Sequence, residues 1–252
     1  MLTDDQIRSY RAPAGLLAGR IILVTGAGGG LGSALAKACA AAGAQVVLSG
    51  RNVRKLEAVY DAIVAAGSPR PSIAPLDLER ADASHYGALA DAVRNEFGRL
   101  DGLVHAAAAL GERAPIEHYD VVKWLKVMHV NVNAAFIVTQ ALLPLLRLSQ
   151  DASVVFTTSG VSVQGRAYWG AYAASKFAVE GLMQVLADET ETVTNIRSNS
   201  VNPGRMRTPM RAAAYPGEVP DELPAPDQVL GAFLYLLGPE SRGVTGRRFD
   251  AQ

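Results

Sequence analysis

The sequence predicts an α/β protein: a single-domain, doubly wound fold with a mostly parallel seven-stranded sheet and helices on both faces. Three observations carry this. Short β-branched runs alternate with longer helical patterns almost from end to end, the glycine-rich segment TGAGGGLG (25–32) directly follows the first such run, and 252 residues suffice for one α/β core without a second domain. Alternation of this kind implies right-handed βαβ crossovers and therefore parallel strands.

Residues 1–19 are expected to form a surface arm ahead of the first strand, RIILVT (20–25). A helix at about 31–42 follows the glycines, and then the strand QVVLS (45–49), a helix at 53–66, the strand SIAPL (72–76) and a helix at 83–97. The strand DGLVH (101–105) leads into a long helical stretch, 117–148, and SVVFTT (153–158) into another, 170–191. After the strand IRSNSV (196–201), the proline-containing segment 205–227 has few strand or long-helix signals and reads as a mobile flap over a substrate site. A helix at 226–237 and a last strand near GRRFD (246–250) close the domain.

Composition narrows the function. Lys plus Arg number 24 against 24 Asp plus Glu, so nothing asks for nucleic acid or an acidic membrane as partner. The greasiest segment, AAFIVTQALLPLLRL, is expected to be too short and too interrupted to span a bilayer, and the polar N-terminus argues against export, which together point to the cytoplasm. The only cysteine, Cys39, lies in an apolar helical run and reads as a small core residue. His85, His105, His118 and His129 lack carboxylate or cysteine partners at metal-ligand spacing, so no metal site is expected.

In open parallel sheets, ligands bind beyond the carboxyl ends of the strands, so the residues just after each strand matter most. In TGAGGGLG the glycines Gly26, Gly30 and Gly32 are spaced GxxxGxG; with Gly29 and Leu31 they would let a pyrophosphate approach the backbone and the start of the next helix. A tight turn with close helix packing would use the same residues. The second strand ends LSGRN, with Gly50 where an acid would bind a ribose 2′-OH and Arg51 next. That favours a 2′-phosphate, hence NADP(H) over NAD(H), although NAD(H) use stays open and Arg51 could instead be a solvated loop residue.

Two Tyr-x-x-x-Lys pairs put a phenol and an amine on one helical face: Tyr119 with Lys123, and Tyr172 with Lys176. Context separates them. Ser159 stands thirteen residues before Tyr172, just past a strand, whereas the matching position before Tyr119 is Ala106; Lys123, beside acidic neighbours, reads as a solvated charge.

Taken together, TGAGGGLG, LDL (76–78), VNVNAAF (130–136), Ser159, YAASK (172–176) and NPGRMRT (202–208) resemble the short-chain dehydrogenase/reductase family, in that family's order and across nearly the whole chain. The segment GAYAASKFAVEGLMQVLADE and the ending FDAQ further resemble the bacterial YciK-type oxidoreductases. The resemblance implies a Rossmann-like fold and hydride transfer between a nicotinamide and a carbonyl/alcohol substrate. It makes Tyr172 the general acid/base, with Lys176 lowering its pKa and binding the nicotinamide ribose, Ser159 a donor to the substrate oxygen, and Asn131 a holder of a relay water. It sets Asp77, Leu78, Ala106 and Ala107 along the cofactor and Pro203, Gly204 and Thr208 at its nicotinamide end. Each has a duller reading: Ser159 capping a loop, Asn131 satisfying backbone, Asp77 shaping a turn, and the Pro203–Gly204 turn as only a turn.

The chain departs from the family pattern at two places. Where NAG is usual after the fourth strand it reads HAAAAL; the missing asparagine is expected to remove a polar tie between strands, and the Ala108 methyl to crowd the ribose. It also lacks DGG near its end and stops at Gln252, which is expected to leave little tail to shape a pocket or reach a neighbouring subunit. The reading is an NADP(H)-dependent oxidoreductase, expected as a homodimer or homotetramer packed through the helices at 117–148 and 170–191. The alternative is a degenerate nucleotide-binding regulatory or structural protein with the same fold. The flap carries Met206, Arg207, Met210, Arg211 and Tyr215, which admits an apolar compound with or without an anionic group.

Overall fold

In β1 (Ile21–Thr25), Ile22 and Val24 join one apolar cluster and Ile21 and Leu23 the other, the period-two alternation of a strand whose two faces are both covered. The same division separates Val104 from Leu103 and Val155 from Val154 in two later strands. The computed structural model describes residues 2–252. Its elements run α1 (Asp4–Arg8), β1, α2 (Gly30–Ala41), β2 (Gln45–Gly50), α3 (Val53–Ala65), β3 (Ser72–Pro75), α4 (Ala83–Phe97) and β4 (Gly102–His105). They continue as α5 (Val121–Met128), α6 (Ala134–Leu146), β5 (Ala152–Thr157), α7 (Gly170–Glu191), β6 (Ile196–Asn202), α8 (Pro209–Ala214), α9 (Gly231–Leu237) and β7 (Arg248–Asp250).

The sheet has seven strands in the order β3-β2-β1-β4-β5-β6-β7, and every neighbouring pair is parallel. It is therefore wholly rather than mostly parallel. One apolar cluster takes apolar residues of α2, α3 and α9, the other apolar residues of α4 and α6 with Val179, Met183 and Leu186 of α7. Strand order reverses between β1 and β4, which opens a crevice at their carboxyl ends.

Three segments differ from expectation. The arm before β1 is docked rather than free: Ile7 and Leu17 are fully buried, and Tyr10 packs edge-on against Tyr235 of α9. The stretch expected as one helix over 117–148 is broken into a 3-10 turn (Ile116–His118), α5, a π turn (His129–Asn133) and α6. Among the described residues, the longer stretch Val121–Leu146 passes for a membrane span by length and composition only. Its apolar side packs on the sheet through Val138, Leu142, Leu145 and Leu146. The helix expected at 226–237 begins as a 3-10 turn, Pro226–Val229, before α9.

Candidate active site

The first wall of the site is the loop after β1. Gly26 has φ +68°, and a Cβ there would stand 2.8 Å from the Ala107 backbone, while a Cβ on Gly32 would strike the Gly26 carbonyl. Glycine at both positions is thus required by the chain's own packing. Gly29 caps α2 without a side chain, and no acid lies in the helix's first turn, so its leading amides keep their donors and positive dipole end for an anion. Those features fit a dinucleotide pyrophosphate.

A cavity of about 620 Å³ runs along the crevice from this loop. It brings together Gly26, Gly29, Gly30, Leu31, Gly32, Arg51, Asp77, Leu78, Ala106, Ala107, Ser159, Tyr172, Lys176, Pro203, Gly204 and Thr208, every sequence-predicted site residue except Asn131.

At the far end, the Arg51 side chain is 70% exposed and lies 3.6 Å from Glu79, which also pairs with Lys126 at 2.7 Å. The Lys126 bond holds Glu79 below the ordinary carboxylate range. Two cations therefore share one carboxylate where β2 ends. Asp77 accepts from the Glu79 amide at 3.2 Å, so it shapes the turn as well as lining the cavity.

The alanines after β4 keep a polar tie of a different origin. Thr25 Oγ1 accepts from the amides of Ala106 at 3.2 Å and Ala107 at 3.3 Å, doing from β1 what a side chain after β4 was expected to do. Asn131 lies in the π turn, buried. Its Oδ1 accepts from the Ala109 amide at 2.7 Å, and its Nδ2 donates to the Ala109 carbonyl and to Ser175 Oγ, both at 2.9 Å. Its side chain thus fastens the β4 loop to α7 and does not reach the cavity.

At the inner end, α7 carries Tyr172 and Lys176 one turn apart, with Lys176 Nζ 5.6 Å from the Tyr172 ring centre. Nζ donates to the Thr157 carbonyl at 2.7 Å. Burial pushes the Tyr172 phenol up to about 12, a hydrogen bond with Ser159 pulling the other way. Burial brings Lys176 down to about 8, opposed by the charge of Glu180. In the protein alone, desolvation outweighs the Ser159 hydrogen bond. The protein holds a neutral phenol, which is the proton-donating form. Ser159 also caps the 3-10 turn Gly160–Ser162, so its structural role coexists with its place in the cavity.

Beyond β6, Gly204 has φ +74°, and the last residue closes this corner. Gln252 Nε2 donates to the carbonyls of Pro203 at 2.6 Å and Arg205 at 2.8 Å. β7 pairs beside β6 and brings Gln252 onto the Pro203 loop, whose Pro203 and Gly204 line the cavity. Thr208 caps α8 through the Arg211 amide.

The second tyrosine–lysine pair is structural. Tyr119 Oη accepts from the Glu112 amide, and Lys123, paired with Glu112, is an ion-paired rather than simply solvated charge. His105 is buried against Phe156 and hydrogen-bonds Thr139; burial brings it down to about 3, so it stays neutral. No metal-holding cluster occurs among the described residues. Leu110, Trp169 and Ala214 also line the cavity and escaped the sequence reading, because an apolar wall residue has the same signature as core.

One cavity thus joins the glycine cradle to the tyrosine–lysine pair, the arrangement the motifs suggested. The chain belongs to the short-chain dehydrogenase/reductase family, whose model, described as short chain dehydrogenase, matches residues 20–218. Among particular relatives, it is 47% identical over 243 residues to the uncharacterized oxidoreductase YciK of Escherichia coli K12, covering 96% of each chain. It superposes on a short chain dehydrogenase structure from Pseudomonas syringae with TM-score 0.95 and 55% identity, covering 96% of this chain and 98% of that one. A short chain dehydrogenase from Escherichia coli CFT073, solved in complex with NADPH, matches with TM-score 0.93 and 48% identity over 95% of this chain and all of that one. This protein is thus an oxidoreductase of that family and is similar to the YciK type.

Proposed function

We propose that this oxidoreductase uses NADP(H), in preference to NAD(H), to interconvert a small carbonyl compound and its alcohol, with Tyr172 as the acid/base. The observation that carries the reading is a single cavity joining the glycine cradle and Arg51 at one end to Tyr172 at the other. The NADPH bound in the Escherichia coli CFT073 relative supports the choice of dinucleotide.

When bound, the reduced nicotinamide supplies a hydride to the carbonyl carbon. Tyr172 Oη would give its proton to the carbonyl oxygen, completing the alcohol and leaving a tyrosinate. Ser159 Oγ donates to that oxygen and holds it within reach of the phenol. Lys176, fixed on the Thr157 carbonyl, faces the developing tyrosinate as an ammonium and offsets its charge. Asn131 keeps the β4 loop and α7 in register beneath them.

The exposed apolar residues Val121, Leu125, Phe136, Phe177 and Val185 lie on α5, α6 and α7, which supports a homodimer or homotetramer packed through these helices. The dinucleotide assignment is tested with Arg51→Ala. Removing one charge-assisted contact of about 1.5–3 kcal/mol is expected to weaken NADPH binding roughly 10- to 100-fold with NADH binding little changed. An unchanged NADPH/NADH ratio would remove Arg51 from the assignment.

A further inference from the structure

A third apolar cluster, separate from the two that cover the sheet, surrounds Tyr172 and contains Trp169 and Ala214 with Leu110 and Tyr215 against them. The Trp169 ring lies 5.7 Å from the Tyr172 ring and forms part of the cavity wall with Leu110, Met206 and Met210. Two arginines stand beside this wall, and both are committed elsewhere. Arg211 forms a fork with Glu218, Nε to Oε2 at 2.6 Å and Nη2 to Oε1, while its guanidinium stacks 3.8 Å from the Tyr215 ring centre. The two side chains are only 19% and 28% exposed, so the pair is partly desolvated and locally neutral. Arg113 donates to the Ala214 carbonyl and lies over Trp169 at 5.1 Å and Tyr215 at 4.9 Å.

An anionic substrate reaching the remaining Nη1 donors of Arg211 would find that side chain's charge already offset by Glu218 and would stand beside a second negative charge. An apolar body, by contrast, finds the part of the largely buried Trp169 that lines the cavity, together with Leu110 and two flexible methionine side chains, already in place. We propose that the substrate is an uncharged ketone or aldehyde on a flat or alicyclic apolar body that lies against Trp169, and that the Arg211–Glu218 pair rejects carbonyl compounds bearing a carboxylate or phosphate. This rests on the acid/base reading of Tyr172 and names the substrate class for that site.

The test compares kcat/KM of the full chain with NADPH for cyclohexanone, 4-methylcyclohexanone and 4-oxocyclohexanecarboxylate. The neutral ketones are expected to be favoured by about 100-fold, and Glu218→Gln, which frees Arg211, to raise kcat/KM for the carboxylate about tenfold. Trp169→Ala is expected to raise KM for the neutral ketones more than it lowers kcat. A carboxylate used as well as its neutral partner overturns the proposal. A binding readout separates this from failure of the catalytic reading. The chain has two tryptophans, and Trp124 packs edge-on against Tyr119 outside the cavity, so Trp124→Phe leaves Trp169 as the sole indole reporter. If no ketone is reduced but neutral ring ketones alone quench Trp169 fluorescence, the pocket assignment stands and the catalytic one falls. Quenching by the carboxylate alone, or by none of the three, overturns the pocket assignment.

Discussion

That Tyr172, Lys176 and Ser159 share one cavity follows the helical spacing of the first two and the place of Ser159 just past a strand, which distinguish them from Tyr119 and Lys123. Their protonation states were not legible, since these depend on how far each group is withdrawn from water. The phenol at about 12 and the amine at about 8 make a specific prediction for carbonyl reduction. On the proposed mechanism, reduction needs the protonated phenol and the ammonium. As pH rises the ammonium is lost first, so kcat/KM is expected to be flat to about pH 7 and to fall about tenfold per unit above about pH 8. A pH–rate profile in which the fall begins only near pH 10 or above would assign no role to the amine's charge. Gln252 was read as an ending, because its contact with the Pro203 loop exists only once β7 has paired with β6.

At the scale of elements, strands announce themselves through β-branched runs such as RIILVT, and α2 through the glycines that precede it. The π turn at His129–Asn133 does not, since HVNVN carries no proline or glycine to mark the break. Tertiary contacts stabilise it: the Asn131 amide satisfies both backbone groups of Ala109 and reaches Ser175. The glycine loop gives the sharper prediction at this scale. Gly32→Ala sets a methyl against the Gly26 carbonyl, and the cradle must shift. NADPH affinity measured by fluorescence titration is expected to drop at least about tenfold, equivalent to about 1.4 kcal/mol, with the fold retained by circular dichroism. Unchanged affinity would show that the loop can give way without cost to the site.

Across the whole molecule, a wholly parallel sheet separates function from stability. The cavity lies at the carboxyl ends of the strands, while a buried ionic network lies at their amino ends. There Asp151 pairs with Arg20 at 3.1 Å and with Arg197 at 2.9 Å, and Asp101 accepts from the Ile21 amide at 2.9 Å. Asp151→Ala strands buried Arg197, a loss of about 3–5 kcal/mol. A calorimetric Tm lowered by about 6–20 °C is expected, with KM for NADPH unchanged; a Tm within a degree of wild type would mean that Arg197 is satisfied by Ser241 and the Leu236 carbonyl alone. The sheet was legible as a class from alternation, whereas the strand order depends on which crossovers reverse direction, and no local pattern encodes that. What joins the scales is the claim that this sheet presents a protonated phenol to a carbonyl at the end of a nucleotide cleft. The most direct measurement is NADPH oxidation by Tyr172→Phe beside a titration of NADPH binding to the same variant. Turnover falling at least about a thousandfold with NADPH affinity within about twofold of wild type is the predicted result, and retained turnover would contradict it.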